Sequence, residues 1–462
     1  MDQTIAAVAT PLGEGGIGIV RISGPKAVEI ADKIFRAQRG QRLQDLKSYR
    51  LSYGQIVDPA TTRQIDEALA LVMRAPRSYT GEDVVELQCH GGIIAVRAVL
   101  NLALSSGARL AEPGEFTKRA FLNGRLDLSQ AEAVIDIIQA PTTLGLEVAV
   151  DQLEGSLSRR IKDIQGRLYG IVVEVEASID FPEEDLPEVE LQKLEEAMLV
   201  SYEGLDNLLT TADDGRILRE GLKTVIAGKP NVGKSSLLNK LLDENRALVT
   251  DVPGTTRDTI EEVINLRGVP LRLIDTAGIR ESEDVVERLG IARSLDLLQQ
   301  ADLILHVLDS SVALTAEDHQ ILEKTKNQKR VILVNKVDLK PVWDLSALGD
   351  LGDNPILEIS LVDQGQELVD QLAETILTHV GSGSILSSAG SRALVTRTRH
   401  KQALTNAKQS LERALATFRA GLPLDLIAVD LYEALEQLGE ITGETVRENV
   451  LDQIFAQFCI GK

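Results

Sequence analysis

The stretch Gly228-Lys-Pro-Asn-Val-Gly-Lys-Ser235 decides the fold of the chain around it. Its spacing, G-x-x-x-x-G-K-[ST], is that of a phosphate-binding P-loop. The apolar run at 222–227 predicts a strand before it, and the run at 236–242 predicts a helix after it. Glycines let backbone N–H groups surround a polyphosphate, and the helix N-terminus offers the same anion its positive dipole end. We therefore expect a nucleotide site on a strand–loop–helix unit.

Side chains of this loop have separate predicted tasks. Lys234 is expected to reach the β- and γ-phosphates of the nucleotide, and Ser235 is expected to bind Mg²⁺. The amide oxygen of Asn231 can help to coordinate a monovalent cation beside the phosphates; the alternative is an asparagine that only stabilises the loop. The predicted nucleotide contacts within the loop are Asn231, Val232, Gly233, Lys234, Ser235 and Ser236.

Two further motifs follow in the order that a P-loop GTPase requires. Residues 271–274 predict a strand that ends in Asp275, as in a Walker B strand whose aspartate approaches Mg²⁺. Residues 331–334 predict a buried strand that ends in Asn335-Lys-Val-Asp338. The Asp338 carboxylate can accept hydrogen bonds from N1–H and the 2-amino group of guanine, donors that adenine lacks. The motifs therefore predict GTP as the nucleotide, with contacts from Asp275, Thr276, Ala277, Gly278, Asn335, Lys336 and Asp338.

Other segments bear on how the base is enclosed and how GTP is hydrolysed. Glu358-Ile-Ser-Leu361 is a weaker candidate for the loop that closes over the base. In Ras-like proteins a glutamine directly after Asp-x-x-Gly orients the attacking water, but here Ile279 holds that position. The charged residues that follow form a solvated face or supply the missing catalytic group. They are Arg280, Glu281, Glu283, Asp284 and Glu287.

The segment before the Walker B strand resembles a switch loop. Its carbonyl and hydroxyl oxygens are suitable ligands for Mg²⁺ and for a monovalent cation. The predicted nucleotide contacts there are Thr250, Asp251, Val252, Pro253, Gly254, Thr255 and Thr256.

Composition limits the classes to which the chain can belong. Its 462 residues suffice for two or three domains, and a hydrophobic share of 44% argues against wholesale disorder. There is no apolar run near 18 residues and no basic, apolar leader, so we expect neither a membrane span nor a secretory signal. Two distant cysteines, Cys89 and Cys459, indicate a reducing compartment, and we expect a cytoplasmic protein. A net charge of −21 disfavours broad nucleic-acid binding.

The pattern along the chain predicts a multidomain α/β plus all-α protein. Short strand-like runs and glycine turns predict an α+β domain first, and the following helical domain is interrupted by a Ras-like P-loop domain. A capping box at Ser129–Glu132 is expected to open the first long helix. The one conspicuous basic cluster, at 396–401, is interpreted as a charged helix face or as a contact with RNA or a partner. The predicted boundaries are 1–118, 119–219, 220–381 and 382–462.

These features together closely resemble the MnmE (also called TrmE) family of tRNA-modification GTPases. The resemblance covers essentially all 462 residues. Outside the nucleotide motifs it rests on five segments, which are Gly15–Gly24, Ser78–Asp83, Glu112–Thr117, Phe121–Leu128 and the terminal Cys459-Ile-Gly-Lys462.

The resemblance implies roles for individual residues. The N-terminal domain would bind a folate and pair two subunits, and the matching folate contacts are Arg21, Glu86, Arg125 and Lys462. Basic groups suit the folate carboxylates and an acid suits the donor edge of the pterin, although the family often has lysine where Arg125 stands. Glu287 would position the hydrolytic water through a bridging water. The implied K⁺ ligands are Asn231, Thr250, Val252 and Thr255, and the implied Mg²⁺ ligands are Ser235 and Thr256.

The resemblance also implies a function and partners. The expected protein is a potassium-activated GTPase and a homodimer that forms a heterotetramer or larger complex with an FAD-dependent MnmG-type protein. Together they would add an aminomethyl or carboxymethylaminomethyl group at C5 of the tRNA wobble uridine, with 5-formyl- or methylene-tetrahydrofolate as the source of one carbon. The alternatives are a ribosome-assembly GTPase without modification chemistry, and a stand-alone folate-dependent enzyme regulated by GTP.

Overall fold

The computed structural model describes residues 3–180, 188–245, 262–274, 298–363, 366–381 and 393–462. The chain forms two compact units, one of Met1–Ile135 with Leu435–Lys462 and the other of Asp136–Ala434. None of the helices in the described ranges is both long and apolar enough to cross a membrane.

The first unit contains a seven-stranded sheet within described residues 5–110. Its strands are β1 (Ile5–Val8), β2 (Gly18–Ser23), β3 (Phe35–Ala37), β4 (Arg50–Val57), β5 (Gln64–Met73), β6 (Val84–Cys89) and β7 (Arg109–Leu110). They lie in the order β3-β4-β5-β6-β2-β1-β7, and neighbours are antiparallel except for the parallel pair β1 and β7. The register pairs Arg21 of β2 with Glu86 of β6. Two residues of the predicted folate site therefore sit side by side on the sheet.

The helices of the described residues fall in both units. They are α1 (Ala27–Ile34), α2 (Ile93–Ser105), α3 (Glu115–Leu122), α4 (Leu128–Gln139), α5 (Thr143–Leu153), α6 (Ser156–Asp180), α7 (Glu188–Leu209), α8 (Ala212–Glu220), α9 (Lys234–Asn245), α10 (Ala316–Lys324), α11 (Gln366–Val380), α12 (Thr398–Arg419), α13 (Leu424–Thr442) and α14 (Glu448–Phe455).

Two larger apolar clusters and one smaller cluster stabilise the first unit in the described residues, and the two larger ones join several elements. One lies between the sheet and helices α1 and α2. In the other, α14 packs against α3 and α4, and the ring of Phe455 lies 6.5 Å from that of Phe121 and 5.5 Å from that of Phe458. The C-terminal segment therefore folds with the N-terminal residues of the chain.

The predicted capping box at the start of α4 is wrong by two positions. Ser129 lies inside the helix, and its hydroxyl donates to Asp127 Oδ1 over 2.9 Å. Asp127 Oδ1 also accepts from the backbone N–H of Gln130, and Gln130 Oε1 accepts from the backbone N–H of Asp127, both over 3.0 Å. The reciprocal contact is that of a capping box, with aspartate and glutamine in place of serine and glutamate.

The second unit contains a six-stranded sheet in the described residues. Its strands are β8 (Leu222–Ala227), β9 (Glu262–Leu266), β10 (Val269–Leu273), β11 (Leu303–Asp309), β12 (Arg330–Asn335) and β13 (Ile356–Ile359). Their order is β13-β12-β11-β8-β10-β9, and all neighbours are parallel except for the β9–β10 hairpin. Strands β11 and β12 are buried throughout, as expected for a parallel sheet covered on both faces. The P-loop follows β8 and the Asn335–Asp338 motif begins at the end of β12, so both lie at the carboxyl ends of parallel strands, where open α/β sheets bind ligands.

Long helices make up the remainder of the second unit. In α6 the buried residues Leu157, Ile161, Ile164 and Leu168 recur at helical spacing, and α7 packs between α6 and α12. These observations confirm the predicted fold class, an N-terminal α+β domain with a helical domain interrupted by a P-loop domain.

Candidate functional site

The P-loop joins β8 to α9, as its sequence predicts. Gly228 and Gly233 have φ angles of +144° and +110°, which side chains of L-residues rarely allow. A Cβ atom at Gly228 would lie 2.4 Å from the carbonyl oxygen of Val307, and one at Gly233 would lie 2.4 Å from Nδ2 of Asn335. Both glycines are therefore required by packing as well as by backbone conformation.

Lys234 begins α9, and its side chain turns back across the loop. Its Nζ donates to the carbonyl oxygens of Gly228 over 2.7 Å and Lys229 over 2.6 Å. Burial lowers the pKa of this amine. A nucleotide phosphate would replace the two neutral acceptors with charged ones, which make stronger hydrogen bonds. Asn231, Ser235 and Ser236 are exposed and thus accessible to a ligand.

Asn335 ties the loop of the predicted guanine motif to the P-loop. Its Nδ2 donates to the carbonyl oxygen of the buried Val232 over 2.8 Å, and its Oδ1 accepts from the backbone N–H of Leu361 over 3.3 Å. Because the residue is only 3% exposed, its side chain acts as a brace between three loops.

Asp338 lies beside the weaker candidate for the base-enclosing loop. Its Oδ1 accepts from the hydroxyl of Ser360 over 2.8 Å, and that hydroxyl in turn accepts from the backbone N–H of Asp363. Lys336 extends in another direction, and its Nζ donates to the carbonyl oxygen of Asn231 over 3.0 Å. The structure thus brings together the P-loop, the Asn335–Asp338 motif and the 358–361 segment.

Much of the predicted phosphate and metal machinery lies outside the described residues. These positions are Thr250, Asp251, Val252, Pro253, Gly254, Thr255, Thr256, Asp275, Thr276, Ala277, Gly278 and Glu287.

The predicted folate contacts in the first unit also form one cluster. Arg21 Nε donates to Glu86 Oε1 over 2.9 Å, and Arg21 Nη1 donates to the carbonyl oxygen of Gly461 over 3.1 Å. Lys462 therefore lies next to this pair. Burial and then repulsion from Arg21 lower the pKa of Lys462, and attraction by Glu86 only partly opposes them.

Arg125 joins the same cluster through an aromatic residue that the site prediction omitted. The guanidinium of Arg125 lies 5.0 Å from the ring centre of Tyr79, and that of Arg21 lies 5.3 Å from it. The Tyr79 hydroxyl is within 2.8 Å of Thr117 Oγ1. Tyr79 stands in the segment Ser78–Asp83 that carries the family resemblance, so the sequence did contain a signal for it.

The basic cluster at 396–401 does not form an exposed basic face. Arg397 and His400 are buried, and Arg397 Nη2 donates to Asp136 Oδ1 over 2.7 Å. Lys401 pairs with Asp213 over 2.8 Å. Arg397 and Lys401 therefore pair with acids of the second unit, which argues against the interpretation of the cluster as an RNA contact.

Two models of one protein family match consecutive parts of the chain. The family model described as GTP-binding protein TrmE N-terminus matches residues 4–125, and the MnmE helical domain model matches residues 128–459. The chain belongs to the MnmE/TrmE family. The second match extends across the nucleotide-binding sheet, as expected where a P-loop domain interrupts a helical one.

Full-length relatives agree with this assignment. The chain is 52% identical to the tRNA modification GTPase MnmE of Geobacillus kaustophilus over 463 residues, which covers 100% of this chain and 99% of the relative. It is 51% identical to the protein of the same name from Alkaliphilus metalliredigens and 49% identical to that from Bacillus subtilis, with 100% of both chains covered in each case.

Proposed function

We propose that this chain is a potassium-activated GTPase that acts in the modification of C5 of the tRNA wobble uridine. Membership of the MnmE/TrmE family supports the part in tRNA modification. The binding of GTP is supported above all by the hydrogen bonds of the Asn335 side chain, which link the loop of Asp338 to the P-loop. A carboxylate that can recognise guanine and a loop that can bind phosphates are thereby held in one site.

Hydrolysis is proposed to depend on K⁺ and Mg²⁺. Potassium would neutralise charge on the β- and γ-phosphates, as an arginine finger does in other GTPases. The exposed position of Asn231 supports its role as a K⁺ ligand. In this proposal the nucleotide domains of two subunits pair in the active state, and Glu287 positions the attacking water. The further K⁺ ligands are Thr250, Val252 and Thr255, and the Mg²⁺ ligands are Ser235 and Thr256.

The first unit is proposed to bind a tetrahydrofolate derivative, which supplies a one-carbon unit. Arg21, Arg125 and Lys462 offer positive charge to folate carboxylates, while Glu86 can accept from the pterin. The half-buried ring of Tyr79 lies among these charged groups, 5.3 Å from the guanidinium of Arg21 and 5.0 Å from that of Arg125, which supports a planar, anionic ligand. The proposed partner is an FAD-containing MnmG-type protein, in a cytoplasmic complex that acts on tRNA.

Nucleoside analysis of tRNA tests the modification role. Deletion of the gene is expected to remove the C5-modified wobble uridine from tRNA digests measured by mass spectrometry. The wild-type gene restores it, and a gene for Asp338→Asn does not. An unchanged nucleoside profile in the deletion strain contradicts the proposal, and co-sedimentation with ribosomal subunits would then favour a ribosome-assembly GTPase.

Potassium dependence is measured as GTP turnover in KCl and in NaCl at equal ionic strength, over a range of protein concentrations. We expect strong stimulation by KCl that rises with protein concentration because the paired state is the active one. Asn231→Ala should abolish the difference between the salts, and Asn207→Ala, an exposed change on α7, should preserve it. Equal slow rates in both salts would show that the catalytic charge comes from another source.

A further inference from the structure

Asp309 ends β11 beside the guanine-binding loop and belongs to none of the motifs that identify the site. The residue is 7% exposed. Its Oδ2 accepts from Lys336 Nζ over 2.5 Å, and its Oδ1 accepts from the backbone N–H and the hydroxyl of Ser311 over 2.9 and 2.6 Å. Burial alone would raise the pKa of this carboxyl, but the bonds from Lys336 and Ser311 outweigh it and lower the pKa. Asp309 is therefore an anion at neutral pH.

The ammonium that Asp309 holds also reaches the P-loop. Lys336 Nζ donates to the carbonyl oxygen of Asn231 over 3.0 Å. Both Lys336 and Asn231 have a φ of +65°, in the left-handed region that non-glycine residues seldom adopt. Such conformations persist where surrounding contacts hold them. A single ammonium thus joins a left-handed residue of the guanine loop to a left-handed residue of the P-loop.

The neighbour of Asp309 supports the same loop through its backbone. The N–H of Ser310 donates to the carbonyl oxygen of Asn335 over 2.9 Å, and its hydroxyl donates to the carbonyl oxygen of Lys336 over 3.0 Å. Residues 309–311 therefore hold both the main chain and the charged side chain of the guanine loop.

We propose that Asp309 is a positioning residue for guanine-nucleotide binding, which fixes Lys336 and, through it, the Asn231 carbonyl of the P-loop. The inference rests on the proposed binding of GTP at this site. Asp309 acts on the loops that hold the nucleotide and does not reach the phosphates itself. Its loss therefore weakens the binding of GTP and GDP alike.

The test is the affinity of the full-length Asp309→Asn variant for a fluorescent GDP analogue. Asparagine has nearly the same shape and can still accept from Ser311, but it lacks the charge that attracts Lys336. We expect the Kd to rise about tenfold, a change of about 1.4 kcal/mol, mostly through faster dissociation.

Asp344→Asn is the matched control. Asp344 makes the same contact with a serine two residues later, since its Oδ1 accepts from the backbone N–H of Ser346 over 2.9 Å. It is exposed, and no lysine pairs with it among the described residues. This control variant should bind GDP like the wild type. An equal loss of affinity in both variants would overturn the inference.

A double-mutant cycle with Lys336→Gln separates positioning from a general structural effect. If Asp309 acts through Lys336, Asp309→Asn causes no further loss of affinity in the Lys336→Gln background. A full tenfold loss in that background overturns the inference. Should Asp309→Asn fail to fold, unchanged GDP affinity of Lys336→Gln alone overturns it. Failure of the wild-type protein to bind GDP contradicts the proposed function instead.

Discussion

At the scale of single residues, His306 is a polar side chain in an apolar part of the sheet. It lies on β11 between Ala227 of β8 and Ile332 of β12, and it is fully buried. Neither ring nitrogen has a hydrogen-bond partner among the described residues. Burial and, to a smaller extent, the charge of Arg330 lower the pKa of His306 from 6.5 to about 4. The folded protein therefore holds this imidazole neutral.

Because the imidazole of His306 is neutral in the folded protein, we expect the protein to become less stable at acidic pH. Below pH 6.5 the imidazole of His306 becomes protonated in the unfolded chain, whereas in the folded chain it becomes protonated only near pH 4. The free energy of unfolding therefore falls as the pH is lowered from 6.5 to about 4. Because one pKa unit is worth about 1.4 kcal/mol, the loss approaches roughly 3 kcal/mol. Urea unfolding from pH 7 to pH 4 should show a smaller loss for His306→Leu. The exposed control His319→Leu should keep the wild-type slope, and identical slopes for all three proteins would contradict the prediction.

Sequence patterns could predict the role of a residue where its partners are close in the chain or belong to the same motif. The P-loop glycines and the Asn335–Asp338 motif belong to this group. The roles of Asp309 and Asp136 could not be predicted, because a lone aspartate carries no signal of the distant residue that will meet it. Arg397 approaches Asp136 across 261 positions of the chain. Such contacts depend on tertiary packing, which the periodicity of one segment does not encode.

At the scale of elements, α8 connects the nucleotide-binding sheet with helices of the same unit. Arg216 Nη2 donates over 2.9 Å to Asp302, which precedes β11. Arg219 Nε donates over 2.9 Å to Asp136 of α4. A Cβ at Gly215 would lie 2.3 Å from the carbonyl oxygen of Val395, so the segment before α12 packs directly against α8. Helix α8 therefore contacts both the sheet and the long helices of the second unit.

Asp136 should be important for the stability of the second unit. Its Oδ1 accepts from both Arg219 and Arg397, and the side chain is 8% exposed. Removal of one partner from a buried ion pair leaves an uncompensated charge, which costs about 3–5 kcal/mol. We expect Asp136→Ala to lower the free energy of unfolding by about 3 kcal/mol in denaturant titrations.

Asp206→Ala is the control for this prediction. It breaks the more exposed pair of Asp206 with Lys408, which spans 2.5 Å, and should cost less than about 1 kcal/mol. Equal costs for the two variants would mean that the junction around α8 is stabilised by packing alone.

At the scale of the whole molecule, the two candidate sites belong to different units. The guanine loop and P-loop lie within Asp136–Ala434, whereas the cluster around Arg21 combines the N-terminal sheet with the C-terminal residues 461 and 462. Gly461 has a φ of +97°, and a Cβ there would lie 2.1 Å from the carbonyl oxygen of Val8. The terminal residues are thus fitted closely into the first unit, and their removal should affect one site alone.

A chain that stops after Ile460 tests this separation. Without Gly461 and Lys462, Arg21 loses the carbonyl oxygen that orients its guanidinium, and the cluster loses one positive charge. We expect the Kd for 5-formyl-tetrahydrofolate, measured by calorimetry, to rise at least about tenfold, since one hydrogen bond to a charged group is worth about 1.5–3 kcal/mol. Turnover of GTP in KCl should stay within about twofold. Ile460→Ala changes a half-exposed side chain, leaves both terminal residues in place and should bind folate normally. Unchanged folate binding by the shortened chain would exclude this cluster as the folate site, and a parallel loss of GTP turnover would show that the two sites are not independent.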